Sequence, residues 1–461
     1  MNIGVIALGR STFDIAYAEE KLNQCLEFLS KTKHEIFGSC QILLSESEAL
    51  KEFEKLNAQT IEFLLIVQVT FTDALVVVEI AKKSSLPLGI WAFPEPRLSG
   101  RLKLNAFCGL NLASHSLCLN NRKFSWIYED PELIHALQFN KLFAKEPENV
   151  NQSEPQIPQL TSVTAKSIKE KILTKKVCKI GAAPDGFYTC DYNQKKLTKL
   201  CGVEVDELEL DDLFIKAKDI SPDQVKEIFN FLGGKISELK NVNQEELKKS
   251  LRLKGSLQKL QEVGKYDAFA IRCWPEMFTK FGGAICGPVS MMGDNKVPCA
   301  CEADVYGAVS QLILQEVSKQ AVFLTDIVDI DISDNTGVFW HCGQAPLSMC
   351  DPNFIPRATI HTNRKAPLLF EFPLKAGEIT IMRLSQSFNE HKMVISSGNI
   401  LKKDLPFTGT SGVVRFRNGS KSVLEAIISS GLEHHVALTY GNHVKILSEL
   451  ASQLNLPVLY L

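Results

Sequence analysis

The sequence carries almost no net charge and no long apolar run. Lysine and arginine number 51 against 53 aspartate and glutamate, a formal net charge of −2, too little for a field that would draw the chain to nucleic acid or to an anionic membrane. The longest apolar stretches, Phe63 to Val69 and Leu75 to Ile80, fall well short of the roughly 20 residues a membrane-crossing helix needs. The start, Met1-Asn2-Ile3-Gly4-Val5-Ile6-Ala7-Leu8-Gly9-Arg10, lacks the basic segment, apolar stretch and small-residue cleavage site of an export signal. It reads as a buried strand, and a cytoplasmic protein is expected. The thirteen cysteines include no C-x-x-C pair. An odd number scattered through a large chain predicts reduced, mostly buried thiols, with a zinc–thiolate site built from Cys273, Cys286, Cys299 and Cys301 as the alternative.

What is present is ordinary globular material: 45% apolar and 23% charged residues, in a chain long enough for two or three domains. The first 145 residues alternate apolar runs (Asn2 to Leu8, Glu62 to Val69, Leu86 to Phe93) with helical stretches (Ala18 to Lys31, Glu46 to Lys55). That rhythm predicts β-α-β units and a parallel sheet. The polar, proline-bearing segment from Glu146 to Pro158 suits a surface linker. A second alternation runs from a strand at Lys176 to Gly181, through a charged helical region at Ser221 to Gln261, to a strand at Ala268 to Cys273. From about Ile327 the texture changes to short strands, among them Gly377 to Leu384 and Gly412 to Asn418, before a helix at His443 to Gln453 and a last strand at Leu456 to Leu461. The fold class expected is α/β: two Rossmann-like parallel-sheet domains, 1–160 and 161–325, followed by a smaller antiparallel β-barrel-like domain, 326–461.

Four groups carry chemistry. Pro298 to Val309 sets Glu302 and Asp304 at the entry to an apolar helix, where the positive helix end favours an acid; one of the two can be a cap and no more. Asp326 directly follows the apolar run Ala321-Val322-Phe323-Leu324-Thr325, which predicts a carboxylate at the C-terminal end of a buried strand, where open α/β sheets place ligands. Asp329 and Asp331 follow with period two and equally suit the exposed face of an edge strand. His341 and His435 sit in apolar contexts, Val338-Phe339-Trp340-His341-Cys342-Gly343 and Leu432-Glu433-His434-His435-Val436. Singly, such histidines suit a packed core; with two acids they form an oxygen and nitrogen set suited to manganese, magnesium or cobalt.

These segments resemble the L-fucose isomerase and L-arabinose isomerase superfamily. The likeness lies in Arg272-Cys273-Trp274-Pro275-Glu276, in Cys299 to Asp304, in Leu324-Thr325-Asp326, in Trp340-His341-Cys342-Gly343 and in Glu433 to Gly441, all in the expected order. Nearer the N-terminus it rests on Trp91 to Arg97 and Gly100 to Gly109. The resemblance implies an aldose–ketose isomerase in which Glu302 and Asp326 are paired acid/base and metal-ligating carboxylates and His435 is a histidine ligand. His341 matches a ligand of the arabinose branch, whereas an aspartate at position 326 follows the fucose branch. Arg101, Asn105, Trp274 and Glu276 are candidates to line the sugar pocket, with plain core packing the other reading of Trp274. The family also implies a homo-oligomer, trimer or hexamer.

Isomerisation moves a proton between C1 and C2 and another between the two oxygens, which calls for a paired acid and base. A divalent ion, manganese first, would stabilise the enediolate. Two alternatives stand beside this expectation: a non-catalytic sugar-binding protein, because its β-α units resemble the halves of sugar binders, and a metal-dependent epimerase or lyase acting on a modified sugar such as a sulfonated one.

Overall fold

The apolar runs near the N-terminus form strands buried on both faces, as expected where helices cover a parallel sheet. In the computed structural model, which describes residues 1–143, 154–160 and 162–461, β1 (Asn2–Leu8), β2 (Glu35–Gly38), β3 (Phe63–Gln68), β4 (Leu88–Ala92) and β5 (Ser125–Tyr128) make an all-parallel sheet of order β2-β1-β3-β4-β5. This is the doubly wound order of flavodoxin-like sheets, not the 3-2-1-4-5-6 order of the Rossmann type. Both predicted helices are present, as Ile15–Ser30 and Glu46–Asn57. The second starts at a capping box in which Ser45 and Glu48 satisfy each other's backbone N–H groups. The apolar run at Leu75 becomes the helix Leu75–Lys83.

A second parallel sheet repeats that order in four strands: β6 (Lys176–Ile180), β7 (Glu204–Leu208), β8 (Ala268–Ile271) and β9 (Cys299–Cys301), arranged β7-β6-β8-β9. The charged region before β8 holds the helices Pro222–Leu232 and Gln244–Gly264. The linker expected at 146–158 falls mostly outside the described residues; within its described end, Gln156 bridges to Val458.

The remaining strands are β10 (Phe323–Asp331), β11 (Thr336–His341), β12 (Arg357–Thr359), β13 (Leu369–Pro373), β14 (Gly377–Ser385), β15 (Lys392–Ile400), β16 (Thr410–Phe416), β17 (His435–Tyr440) and β18 (Val458–Tyr460). They form one nine-stranded sheet, β12-β13-β16-β11-β10-β17-β14-β15-β18, with β15 also pairing β16. The expectation of a smaller antiparallel unit is corrected: this is the largest sheet of the described residues, and it is mixed, because β13–β16 and β15–β18 run parallel. β10 lies between β11 and β17, so it is not an edge strand. It continues past Asp326, which therefore stands within the strand and not at its end.

Two helices join the sheets around one centre. Val305–Ser318 packs against β8, β14 and β17. Ala106–Leu119, buried on all sides but for its last residue, packs against β4 and β10. Asn111 Nδ2 donates to the Leu432 carbonyl at 2.6 Å and His115 Nδ1 lies 2.8 Å from the Gly431 carbonyl, which fixes the chain just ahead of His434 and His435. No described helix is long and apolar enough to cross a membrane.

Candidate functional site

At the end of β9 the backbone turns through two consecutive left-handed residues, Glu302 (φ 59°) and Ala303 (φ 55°), a conformation that costs side-chain-bearing residues free energy and persists only where contacts enforce it. Ala303 N–H donates to the Ile271 carbonyl and Asp304 N–H to the Cys301 carbonyl, both at 3.0 Å. The turn separates the two acids. Asp304 caps the helix Val305–Ser318 through Gly307 N–H at 2.7 Å. A Cβ at Gly307 would stand 2.5 Å from Asp304 Oδ2, so a side chain there would push the carboxylate from its place.

Asp304 does more than cap. Arg383, itself 1% exposed, donates to it from Nη1 at 2.5 Å and Nη2 at 3.1 Å, and His435 Nδ1 lies 3.0 Å from Oδ2. Burial disfavours the charged carboxylate, but Arg383 and His435 prevail and hold its pKa well below the usual carboxylate range. Glu302 points into the site: Oε2 is 3.1 Å from His434 Nε2 and 3.8 Å from His435 Nε2, and Trp274 Nε1–H donates to Oε1 at 3.3 Å. Burial again opposes the charge, and the surrounding His434, His435 and His341 lower the Glu302 pKa nonetheless. His434 is raised in turn, its Glu302 contact outweighing desolvation; its Nδ1 meets Thr189 Oγ1 at 2.9 Å.

Asp326 pairs directly with His435 across β10 and β17, so the register itself brings the two side chains together. Asp326 Oδ1 is 3.5 Å from His435 Nε2. Candidate ligand atoms of Asp326, His341 and His435 lie within 4.8 Å of one another, as do those of Cys190, Glu302, His434 and His435. His435 belongs to both groups. Asp326 Oδ1, His341 Nε2 and His435 Nε2 are buried and make no hydrogen bond. Three such atoms converging is an arrangement a protein avoids unless something else binds there, and the oxygen and nitrogen donors fit a divalent cation.

The two histidines are not equivalent. Asp304 holds the proton of His435 on Nδ1, leaving the Nε2 lone pair toward the acids. His341 Nδ1 instead accepts the Cys342 N–H at 2.9 Å, so its neutral ring carries the proton on Nε2.

Of the residues expected to line a pocket, Trp274 reaches Glu302, as above, and packs edge-on against Phe187. Asn105 is buried, with φ 49° and Oδ1 unpartnered, and its backbone N–H donates to Glu95 Oε2 at 2.7 Å. Arg101 Nη2 donates to the Thr12 carbonyl at 2.7 Å. Glu276 is engaged by Arg272 at 2.7 and 3.0 Å. Asp329 is no exposed edge residue: it is 2% exposed and takes Arg97 Nε at 2.6 Å and Tyr128 Oη at 2.7 Å. The thirteen cysteines are free. Cys286 and Cys342 approach to 3.5 Å, but the candidate metal groups among the described residues contain no pair of thiols.

His434, Thr189 and Arg383 join the centre without having been expected from the sequence. Neighbours in a strand face opposite ways, which argues for one of the two adjacent histidines; but β17 begins at His435, and His434 precedes it with the two rings 3.9 Å apart. Arg383 has no sequence signal beyond being a charge inside an apolar strand.

Comparison with known proteins identifies a family for the chain. Residues 4–145 match the family described as fucose/sulfoquinovose isomerase, N-terminal domain, and residues 340–461 match L-fucose isomerase, C-terminal domain. The chain is 30% identical to sulfoquinovose isomerase of Priestia aryabhattai over 457 residues, covering 98% of this chain and 97% of that one. It is 26% identical to sulfoquinovose isomerase of Alkalicoccus urumqiensis over 455 residues, covering 98% of each.

Proposed function

The chain belongs to the fucose/sulfoquinovose isomerase family, and from that membership we propose that it is a divalent-cation-dependent aldose–ketose isomerase acting on sulfoquinovose, a glucose with a sulfonate on C6, or a closely similar sulfonated aldose. The observation that carries the cation is the convergence of the unpartnered Asp326 Oδ1, His341 Nε2 and His435 Nε2. Glu302, Asp326 and His435 would hold it, with His341 joining once its proton moves from Nε2 to Nδ1, where Cys342 Sγ at 3.3 Å can accept it. Manganese, magnesium or cobalt suits these donors, and the bound ion would supply Lewis-acid stabilisation of negative charge on the sugar's O1 and O2.

The chain's own groups handle the protons. Glu302 and Asp326 lie 3.8 and 3.5 Å from His435 Nε2, so both can reach a sugar bound there. One removes the carbon-bound proton, and between them they return it to the neighbouring carbon and serve the oxygens. His434 and Trp274 each hold one oxygen of Glu302, orienting it and keeping it ionised, the state a base requires. Asp304 and Arg383 set the ring of His435 from behind.

The test is a panel of sulfoquinovose, glucose, L-fucose and L-arabinose assayed for ketose formation with manganese and with excess chelator. Chelator-sensitive conversion of sulfoquinovose to its 2-ketose is expected. Binding without turnover, or release of a C2 epimer or a cleavage product, would replace this reading.

A further inference from the structure

Beside Trp274 the structure gathers positive charge that the carboxylate–histidine centre does not use. The guanidinium carbon of Arg10 lies 5.8 Å, and that of Arg364 5.6 Å, from the centroid of the Trp274 ring. Arg10 follows the C-terminal end of β1, its N–H donating to Thr70 Oγ1 at 2.8 Å, and it also lies over Phe71 at 5.4 Å. Arg364 stands in the turn between β12 and β13, closed by Lys365 N–H to the His361 carbonyl at 2.7 Å. The two come from distant parts of the chain and meet at one indole.

Their charges are not balanced. Arg10 is paired with Asp73, but among the described residues no carboxylate pairs with the Arg364 guanidinium. Arg272, in the same loop as Trp274, is not available to a ligand, because its Nε and Nη2 are engaged by Glu276 and its Nη1 by the carbonyls of Ala182 and Ala183. Burial, and then the field of Arg10, hold Arg364 below its ordinary pKa, and burial, Arg364, His341 and Lys365 push His361 down to about 3. A cationic corner of this kind is relieved by an anion placed in it.

Trp274 joins this corner to the reacting end of the site, since its Nε1–H donates to Glu302 Oε1. The guanidiniums thus stand one indole away from Glu302, one of the carboxylates that would serve C1 and C2. We infer that Arg10 and Arg364, beside Trp274, form the subsite for the sulfonate at the far end of the sugar and so set the preference for an anionic over a neutral aldose; this rests on the reading of the chain as an isomerase of a sulfonated sugar. A sulfonate stays ionised and offers three oxygens to the planar forks of two arginines. A sugar without it leaves those donors unpaired, the strongest ground for rejecting an analogue.

The experiment compares the wild-type holoenzyme with Arg364→Met, Arg364→Lys and Arg10→Met on sulfoquinovose and on 6-deoxyglucose, the same sugar without the sulfonate, with sulfoquinovose binding measured by calorimetry in parallel. Each methionine variant is expected to lose on the order of 100-fold in kcat/KM for sulfoquinovose, with the value for 6-deoxyglucose moving less than about threefold and Arg364→Lys recovering part of the loss. An equal fall on both sugars, or no fall on either, overturns the subsite and leaves the isomerase reading standing. Failure of the wild-type enzyme to turn over sulfoquinovose overturns the functional reading instead. In that case calorimetry still decides the subsite: binding lost in Arg364→Met supports it, and no binding to the wild type overturns it.

Discussion

His435 Nδ1 lies 3.0 Å from Asp304 Oδ2, and that contact decides which nitrogen of the ring faces Glu302 and Asp326. Asp304 in turn neutralises Arg383. Replacing Asp304→Asn keeps the shape and the helix cap but removes the charge. Manganese affinity is expected to fall about 10- to 100-fold, the usual effect of losing a partner that orients a metal-bound histidine. The cation-free protein should lose roughly 3 kcal/mol in urea unfolding, because buried Arg383 is left without its main counter-charge. Unchanged manganese binding by calorimetry would mean that the contact does not set the tautomer.

Glu302→Gln preserves size at a position whose left-handed backbone is already enforced by its neighbours. Turnover should fall by about 100-fold or more, while the thermal midpoint stays close to that of the wild type. Run in heavy water, the wild type should place deuterium at C1 or C2 of the recovered sugar, and the variant should not. Near-normal turnover with cation bound would remove Glu302 from the acid/base role.

His435 and His341 should separate in metal titrations. His435 presents a free Nε2, whereas His341 carries its proton there, so His435→Asn is expected to weaken manganese by more than about 100-fold and His341→Asn by about 10-fold or less. Equal losses would show that the His341 ring turns over to bind.

The parallel sheets were legible because strands covered on both faces are written as unbroken apolar runs, as in Ile3 to Leu8 and Phe63 to Val67. The third sheet was harder: the pairings that make it mixed, β13 with β16 and β15 with β18, join segments far apart in sequence, and no local pattern encodes them. At the site, the sequence could name Glu302, Asp326, His341 and His435 through ordered short motifs, and the structure gathers them. Without those motifs, the local pattern could not separate Glu302 from Asp304, since both stand at a helix entry; the two left-handed residues that send one inward and the other to the cap leave no mark in composition. Asp329 shows the same limit. Its period-two spacing suited a solvated edge, but its strand has a neighbour on each side and Arg97 and Tyr128 meet it from elsewhere in the chain.

Lys254 offers a test of stability away from the site. It lies on the helix Gln244–Gly264 and is 4% exposed, with burial pushing its pKa from 10.5 down to about 8. The sign follows from linkage: between about pH 8 and 10.5 the unfolded chain holds this proton more often than the folded one, so stability rises with pH through that window and is lost as pH falls through about 8. A gap of 10.5 minus about 8 corresponds to a penalty on the order of 3 kcal/mol at pH 7, where the ammonium is charged but poorly solvated. Lys254→Met removes the charge and keeps an unbranched side chain in the same packing. Urea unfolding at pH 7 should therefore find the variant more stable by about 2 to 3 kcal/mol, with the advantage shrinking from about pH 8 upward and mostly gone near pH 10.5. A difference that stays constant across those pH values would show that the methionine acts by packing alone and that Lys254 is not held charged at a cost.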